Sequence, residues 1–275
     1  MHIDISHHQL WFTAYAEDFI AKAGDDNGPL KLKLEHTRHV LSNACAIVAT
    51  ESFTEDVGRA ALLAALYHDT GRFPQYRDWH TFSDARSVDH ALLGGRTLRE
   101  HGVLNGEEAR VRRLALGAVV MHNRFSLPQG IAADIRMVTE VVRDADKLDI
   151  FRVMQRHLAP GAVPDGTVIL HVEDAPDKWS DKVVDDALSG RVASYRDLHY
   201  VNDFRILLGT WLHELRFSET RRRLAVSGYM ESILSGLPDA PIMRRVQEYV
   251  LGTLHPASTP VTSSLSASMT AREVV

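Results

Sequence analysis

The sequence predicts an all-α protein, and three observations carry that reading. Apolar residues recur at three- and four-residue steps over 9–23, 32–50, 56–70, 88–101, 107–123 and 131–156, the spacing of one buried helix face. Gly- and Pro-bearing breaks separate those stretches, at 24–29, 71–74, 102–106, 128–130 and 160–166. No stretch shows the two-residue alternation of a half-buried strand, except the short run 167–172. The expected architecture is a helical bundle with helices resuming near Asp197 and running to about Leu254.

Composition narrows the class. The chain has 275 residues, 45% hydrophobic and 24% charged, as in ordinary globular proteins. That length is enough for one large core over residues 1–255. The last twenty residues, PASTPVTSSLSASMTAREVV, are Ser/Thr-rich and read as a disordered tail. A net charge of -5 argues against nucleic acid as the partner. No apolar run is long enough for a bilayer, and the first residues lack the basic-then-apolar order of a secretory signal. Cys45 is the only cysteine, so no internal disulfide and no Cys-based zinc site can form, and a cytoplasmic location is expected. Exposed helix faces leave room for a homodimer.

Five of these stretches carry residues of chemical interest. In RAALLAALYHDTGR, apolar nearly all round, His68 and Asp69 fall in the last turn before Gly71, where the helix dipole favours a cation. In KLEHTRHVLSNACAIV, His36 shares a face with Val40, Ala44 and Ile47, and His39 is a rival one turn on. In SVDHALLGGRTL, Ser87 reads as the N-cap. His90 begins the helix there, and Gly94 on its face permits close packing. His122 ends VRRLALGAVVMHNRF on the face of Val111, Leu114, Ala115 and Ala118. In VVRDADKLDIF the inward phase selects Asp146, leaves Asp144 on the wetter side and places Asp149 to orient a ligand. Imidazole and carboxylate together suit Fe, Mn, Co, Ni or Zn.

Between two ligand-bearing helices, QYRDWHTFSD (residues 75–84) reads as a loop that lines a substrate entrance with Tyr76, Arg77, Trp79 and His80. Arg72 can bind an anion in a forked way, or serve a structural ion pair. Asp89 is a second-sphere or proton-relay candidate, or simply an acidic residue in a first turn. The stretch 160–186 reads as an acidic surface excursion, and Arg221–Arg223 with Arg244–Arg245 as solvated faces.

The order His36, His68–Asp69, Asp146 resembles the HD superfamily of metal-dependent phosphohydrolases over about residues 33–150, with DADKLD similar to the family's final Asp motif. The resemblance selects His36 over His39. It implies an HD-type helical bundle with the carboxy-terminal helices packed on it. His90 and His122 look like the expanded ligand set of binuclear members, such as HD-GYP phosphodiesterases and myo-inositol oxygenase. The GYP motif itself is absent, so cyclic-dinucleotide cleavage is not implied. The implied cofactors are two divalent transition-metal ions, held by His36, His68, Asp69 and Asp146 and by His90 and His122 with Asp69 bridging. The implied catalytic residues are Asp69, Arg72 and Asp89, with Arg72, Tyr76, Arg77 and His80 toward a small phosphorylated substrate. The family often has Lys where Arg72 stands. The leading expectation is hydrolysis of a phosphate ester, such as a nucleotide, by a metal-activated water. The alternatives are a di-iron oxygenase acting on a small hydroxylated or phosphonate substrate, and a non-catalytic nucleotide sensor.

Overall fold

Pro29 sits in the first turn of the helix Gly28–Thr50, where a missing N–H costs nothing. Leu30, Leu34, His36, Thr37, Val40, Leu41, Ala44, Ile47 and Val48 then fall on its buried face. The computed structural model describes residues 3–158 and 172–255. It contains α1 (Ser6–Lys22), α2 (Gly28–Thr50), α3 (Glu55–Tyr67), α4 (Arg72–Trp79), α5 (His90–Glu100), α6 (Ala109–Met121) and α7 (Ala133–His157). The carboxy-terminal extension adds α8 (Asp181–Leu188), α9 (Val201–Thr210), α10 (Ser218–Ser227), α11 (Tyr229–Leu234) and α12 (Pro241–Leu254). Among the described residues there is no strand; Glu173 and Tyr200 form an isolated bridge. The strand considered for 167–172 lies outside the described residues apart from Val172, as does the tail 256–275. No helix among the described residues is long and apolar enough to cross a membrane.

Helix α3 is buried almost throughout, from Val57 to Tyr67, because α2, α6 and α7 all pack on it. Two apolar clusters result. One gathers α1 to α6 with the first half of α7, and the other gathers the second half of α7 with the extension. Helix α7 therefore belongs to both, and the extension packs on it and, through α10, on α2. The N–H groups of Arg216 and Phe217 donate to Asp144 at 3.0 and 2.9 Å, and Phe217 packs on Phe53. The wet position expected for Asp144 is thus corrected: it is 1% exposed, because its partners lie 72 and 73 residues away in sequence. Burial outweighs those bonds and pushes its carboxyl up.

Other expectations shift as well. The loop expected at 75–84 begins as α4. Pro74 sits in the first turn, where backbone N–H groups are unpaired anyway, so it does not break the helix. Within the supposed excursion 160–186, α8 starts at Asp181 and buries Val183, Val184 and Ala187. The N-cap of α5 is Asp89 rather than Ser87: Asp89 accepts the N–H groups of Ala91 and Leu92 at 3.0 and 3.1 Å.

Gly71 does not end a helix in the left-handed region, since its φ is -69°. Its role is contact. A Cβ there would lie 2.1 Å from the carbonyl oxygen of His90 and 2.6 Å from the N of Gly94. Gly71→Ala is therefore expected to cost at least ~3 kcal/mol, because backbone atoms cannot yield as side chains can. Gly28→Ala, with nothing within 4 Å of its Cβ, is the control, expected within about 0.5 kcal/mol of the parent. Urea unfolding of both variants checks the contrast.

Candidate metal centre

The HD pair lies in the turn between α3 and α4, one step past the end of the helix expected to hold it. That turn sits at the middle of the bundle, flanked by α2, α5, α6 and α7. Each neighbour brings one ligand-type side chain: His36 from α2, His90 at the first residue of α5, His122 at the end of α6 and Asp146 from α7.

The six side chains form two groups, His36 with His68 and Asp146, and Asp69 with His90 and His122. Asp69 joins them. Its Oδ2 lies 3.7 Å from His36 Nε2 and 3.5 Å from His68 Nε2. Its Oδ1 lies 3.4 Å from His90 Nε2 and 4.0 Å from His122 Nε2. Asp146 Oδ1 is 3.1 Å from His36 Nε2 and 3.9 Å from His68 Nε2. Ligand bonds of ~2.0–2.2 Å place neighbouring donors of one ion about 3–3.6 Å apart, close to these separations.

The tautomers decide what the histidines can do. His36 Nδ1 donates to Asp149 Oδ2 at 2.7 Å, and His90 Nδ1 to Asp84 Oδ2 at 2.7 Å. His68 Nδ1 donates to the carbonyl of Ala65 at 2.8 Å, and His122 Nδ1 to that of Val119 at 2.7 Å. With all four Nδ1 positions donating, the four Nε2 atoms converge, and those of His68, His90 and His122, whose imidazoles burial keeps neutral, carry lone pairs. His36 Nε2 is 3.3 Å from His68 Nε2, and His90 Nε2 is 3.1 Å from His122 Nε2. Lone pairs facing each other in a dry site repel unless a cation or proton lies between them. An acceptor on each Nδ1 is the usual support of a metal-ligating imidazole. The donor set therefore fits divalent metal ions.

Electrostatics point the same way. Burial, aided by Arg72, holds His90 at about 4, and burial, aided by His68, holds His122 at about 4. Both are neutral at pH 7. Burial pushes the Asp69 carboxyl up, but Lys33, His68, Arg72 and His90 outweigh it and leave the group well below the carboxylate range. Burial and Lys33 lower His36, but the Asp146 and Asp149 carboxylates raise it further, to about 9.

A stability profile follows from those shifts. His90 and His122 have folded values below the ordinary imidazole value of 6.5, so the unfolded chain binds more protons between about 4 and 6.5. Stability of the metal-free protein must fall as pH drops through that window. His36 has a raised folded value, so its contribution is complete below 6.5 and is lost as pH rises toward 9. The urea midpoint of chelator-treated protein is expected to peak near pH 6.5. A midpoint flat from pH 4 to 9 would contradict these assignments.

Two residues not singled out from the sequence join the site. Asp84 accepts from His90, from Arg72 Nη1 at 3.0 Å and from Gln75 Nε2 at 2.9 Å. It lies in a short 3-10 turn with no periodicity to betray it. Lys33 donates to Asp69 Oδ2 at 2.7 Å; it stands one turn before His36 on the same face of α2, and that i, i+3 spacing could have revealed it. Arg72 has Nε 3.4 Å from Asp69 Oδ1 and also donates to the carbonyl of Phe82. It acts as a brace between Asp69 and Asp84. Asp89 is engaged in starting α5 and in accepting from Asn123 Nδ2 at 3.0 Å.

Tyr76, Arg77 and His80 go elsewhere. Tyr76 Oη donates to Asp26 Oδ1 at 2.8 Å, His80 Nδ1 lies 3.0 Å from Asp26 Oδ2, and Arg77 pairs with Asp78. They line a separate groove with Phe19 and Leu30. The substrate-entrance expectation fails for these three because the segment is helical: Arg72 and Gln75 turn toward Asp84, while Tyr76 and His80 sit about a quarter turn round the helix. The cleft that does reach the ligands, about 160 Å³, has His122 and Asp146 among its lining residues and opens between α7 and the extension.

A third His-bearing group, His7, His8 and Glu107, is structural. His8 Nδ1 and Tyr67 Oη are 2.8 Å apart, His8 Nε2 lies 2.9 Å from Glu107, and Arg59 grips Glu107 with two nitrogens.

The family model described as HD domain matches residues 34–154, a span that contains all six ligand-type residues. No curated protein and no solved structure gave a significant match to the chain. The helical fold, the match and the paired His/Asp groups agree: residues 34–154 of this chain match the HD domain and carry His/Asp groups compatible with a metal site.

Proposed function

We propose that the protein is a metal-dependent hydrolase of a phosphate ester, holding two divalent ions through His36, His68, Asp69 and Asp146 and through Asp69, His90 and His122. The observation that carries the reading is the orientation of Asp69, with one carboxylate oxygen toward each histidine-bearing group. When bound, such ions supply Lewis acidity toward a phosphoryl oxygen and acidify a water. The chain's own residues do the rest. Asp149, Asp84 and two backbone carbonyls fix the imidazole tautomers. Arg72 holds Asp69 and Asp84 in register. In the reaction a bond forms from phosphorus to the water oxygen, the ester P–O bond breaks, and the departing oxyanion takes up the proton that the water gives up.

The test is elemental analysis of protein purified without chelator, paired with a phosphatase screen supplemented with Mn²⁺. Two metal equivalents with phosphate release are expected. Iron with oxygen consumption and no phosphate release would move the site to oxygenase chemistry. No metal and no turnover under any supplementation would defeat the reading.

A further inference from the structure

The extension does more than cover α7. It supplies Val192, Ala193, Tyr195, Trp211 and Glu214 to the cleft that His122 and Asp146 also line. The rings of Tyr195 and Trp211 stand 6.4 Å apart at 67°. Phe204 backs the first at 6.3 Å, and Phe151 backs the second at 5.9 Å. Edge-to-face contacts of this kind fix ring orientation, so the aromatic wall is preformed.

The hydroxyl of Tyr195 makes no hydrogen bond among the described residues. The side chain is 49% exposed, yet burial first, then the carboxylates of Asp146 and Glu214, raises the phenol above its ordinary value. Tyr195 lines the same cleft as His122 and Asp146. A phenol kept neutral there is a donor awaiting an acceptor. Charge favours an anionic one. Lys147 and Arg143 share the single carboxylate of Glu214, at 2.7 and 3.4 Å, which leaves one positive charge on that wall. Lys147 Nζ also lies 5.7 Å from the Trp211 ring centroid.

We propose that the substrate is a phosphate ester of an aromatic group, with the flat group against Tyr195 and Trp211 and the Tyr195 hydroxyl donating to a phosphoryl oxygen beside His122 and Asp146. This rests on the hydrolase reading above and narrows it. Tyr195 is then a substrate-binding residue contributed from outside the matched HD segment.

Binding of phenylphosphonate and methylphosphonate, neither of which can be hydrolysed as an ester, tests the proposal by calorimetry on the metal-loaded full chain, in competition with orthophosphate. Phenylphosphonate is expected to bind about tenfold more tightly than methylphosphonate, the scale of one stacked ring. Tyr195→Phe keeps the ring and loses the hydroxyl. It is expected to weaken both ligands about 3- to 10-fold and leave their ratio unchanged. Tyr195→Leu should also bring the ratio toward one. Equal binding of the two phosphonates, or a ratio untouched by Tyr195→Leu, overturns the proposal while orthophosphate binding leaves the hydrolase reading standing. Failure of all three anions to bind would overturn both.

Discussion

Asp69→Asn is expected to lower phosphate-ester turnover on the order of 10³-fold or more, the scale of losing a main electrostatic element of a catalytic site. Asn keeps the shape and replaces one oxygen by an NH₂ donor. Asp69 presents Oδ2 to His36 and His68 and Oδ1 to His90 and His122, so one substitution removes the carboxylate that joins the two groups. Whichever way the amide turns, one histidine pair faces a donor instead of an acceptor. Metal content is expected to fall from two equivalents to one or none. Lys33 also loses its partner at 2.7 Å, so a stability cost of about 3 kcal/mol accompanies the change. Elemental analysis, turnover and urea unfolding of the same preparation separate these effects. Unchanged metal content with unchanged turnover would remove Asp69 from the centre of the mechanism.

His122→Ala carries the second large effect, with a different signature. It deletes one of two imidazoles in the group of Asp69, His90 and His122 and touches His36, Asp146 and Asp149 only indirectly. One metal equivalent is expected to remain while turnover falls at least about 10²-fold. His36→Ala should show the complementary loss from the other group. Two ions retained in both variants, or none in either, would contradict the division into two groups joined by Asp69. His122 is buried and neutral, so its removal is not expected to unpair a charge. The lost side chain leaves a cavity costing about 2–3 kcal/mol, measurable by urea unfolding of the metal-free protein.

The sequence alone was enough for the helices with strong apolar stripes and for the ligand-type residues on them. His36 shares a face with Val40, Ala44 and Ile47, and His122 with Val111 to Ala118, so periodicity points both inward without any knowledge of their partners. Asp69 and Asp146 were legible through the HD and DADKLD strings. The same logic failed where the partner is remote or the backbone irregular. Asp144 looks wet on an isolated α7 and is buried by backbone N–H groups from the extension. Asp84 lies in a turn without a period, and only the folded chain sets it against His90 Nδ1.

Helical phase is a local property, set by 3.6 residues per turn, so a single stretch of sequence determines which side chains turn inward. Which inward side chains meet is set by how helices pack, through contacts such as Gly71 on Gly94 that bring α5 against the HD turn. Tertiary structure alone therefore decided that Asp69 divides its oxygens between two histidine pairs, that Tyr76, Arg77 and His80 turn away toward Asp26, and that the extension walls the cleft with Tyr195 and Trp211. Those outcomes depend on distances between residues far apart in the chain, which no local spacing encodes.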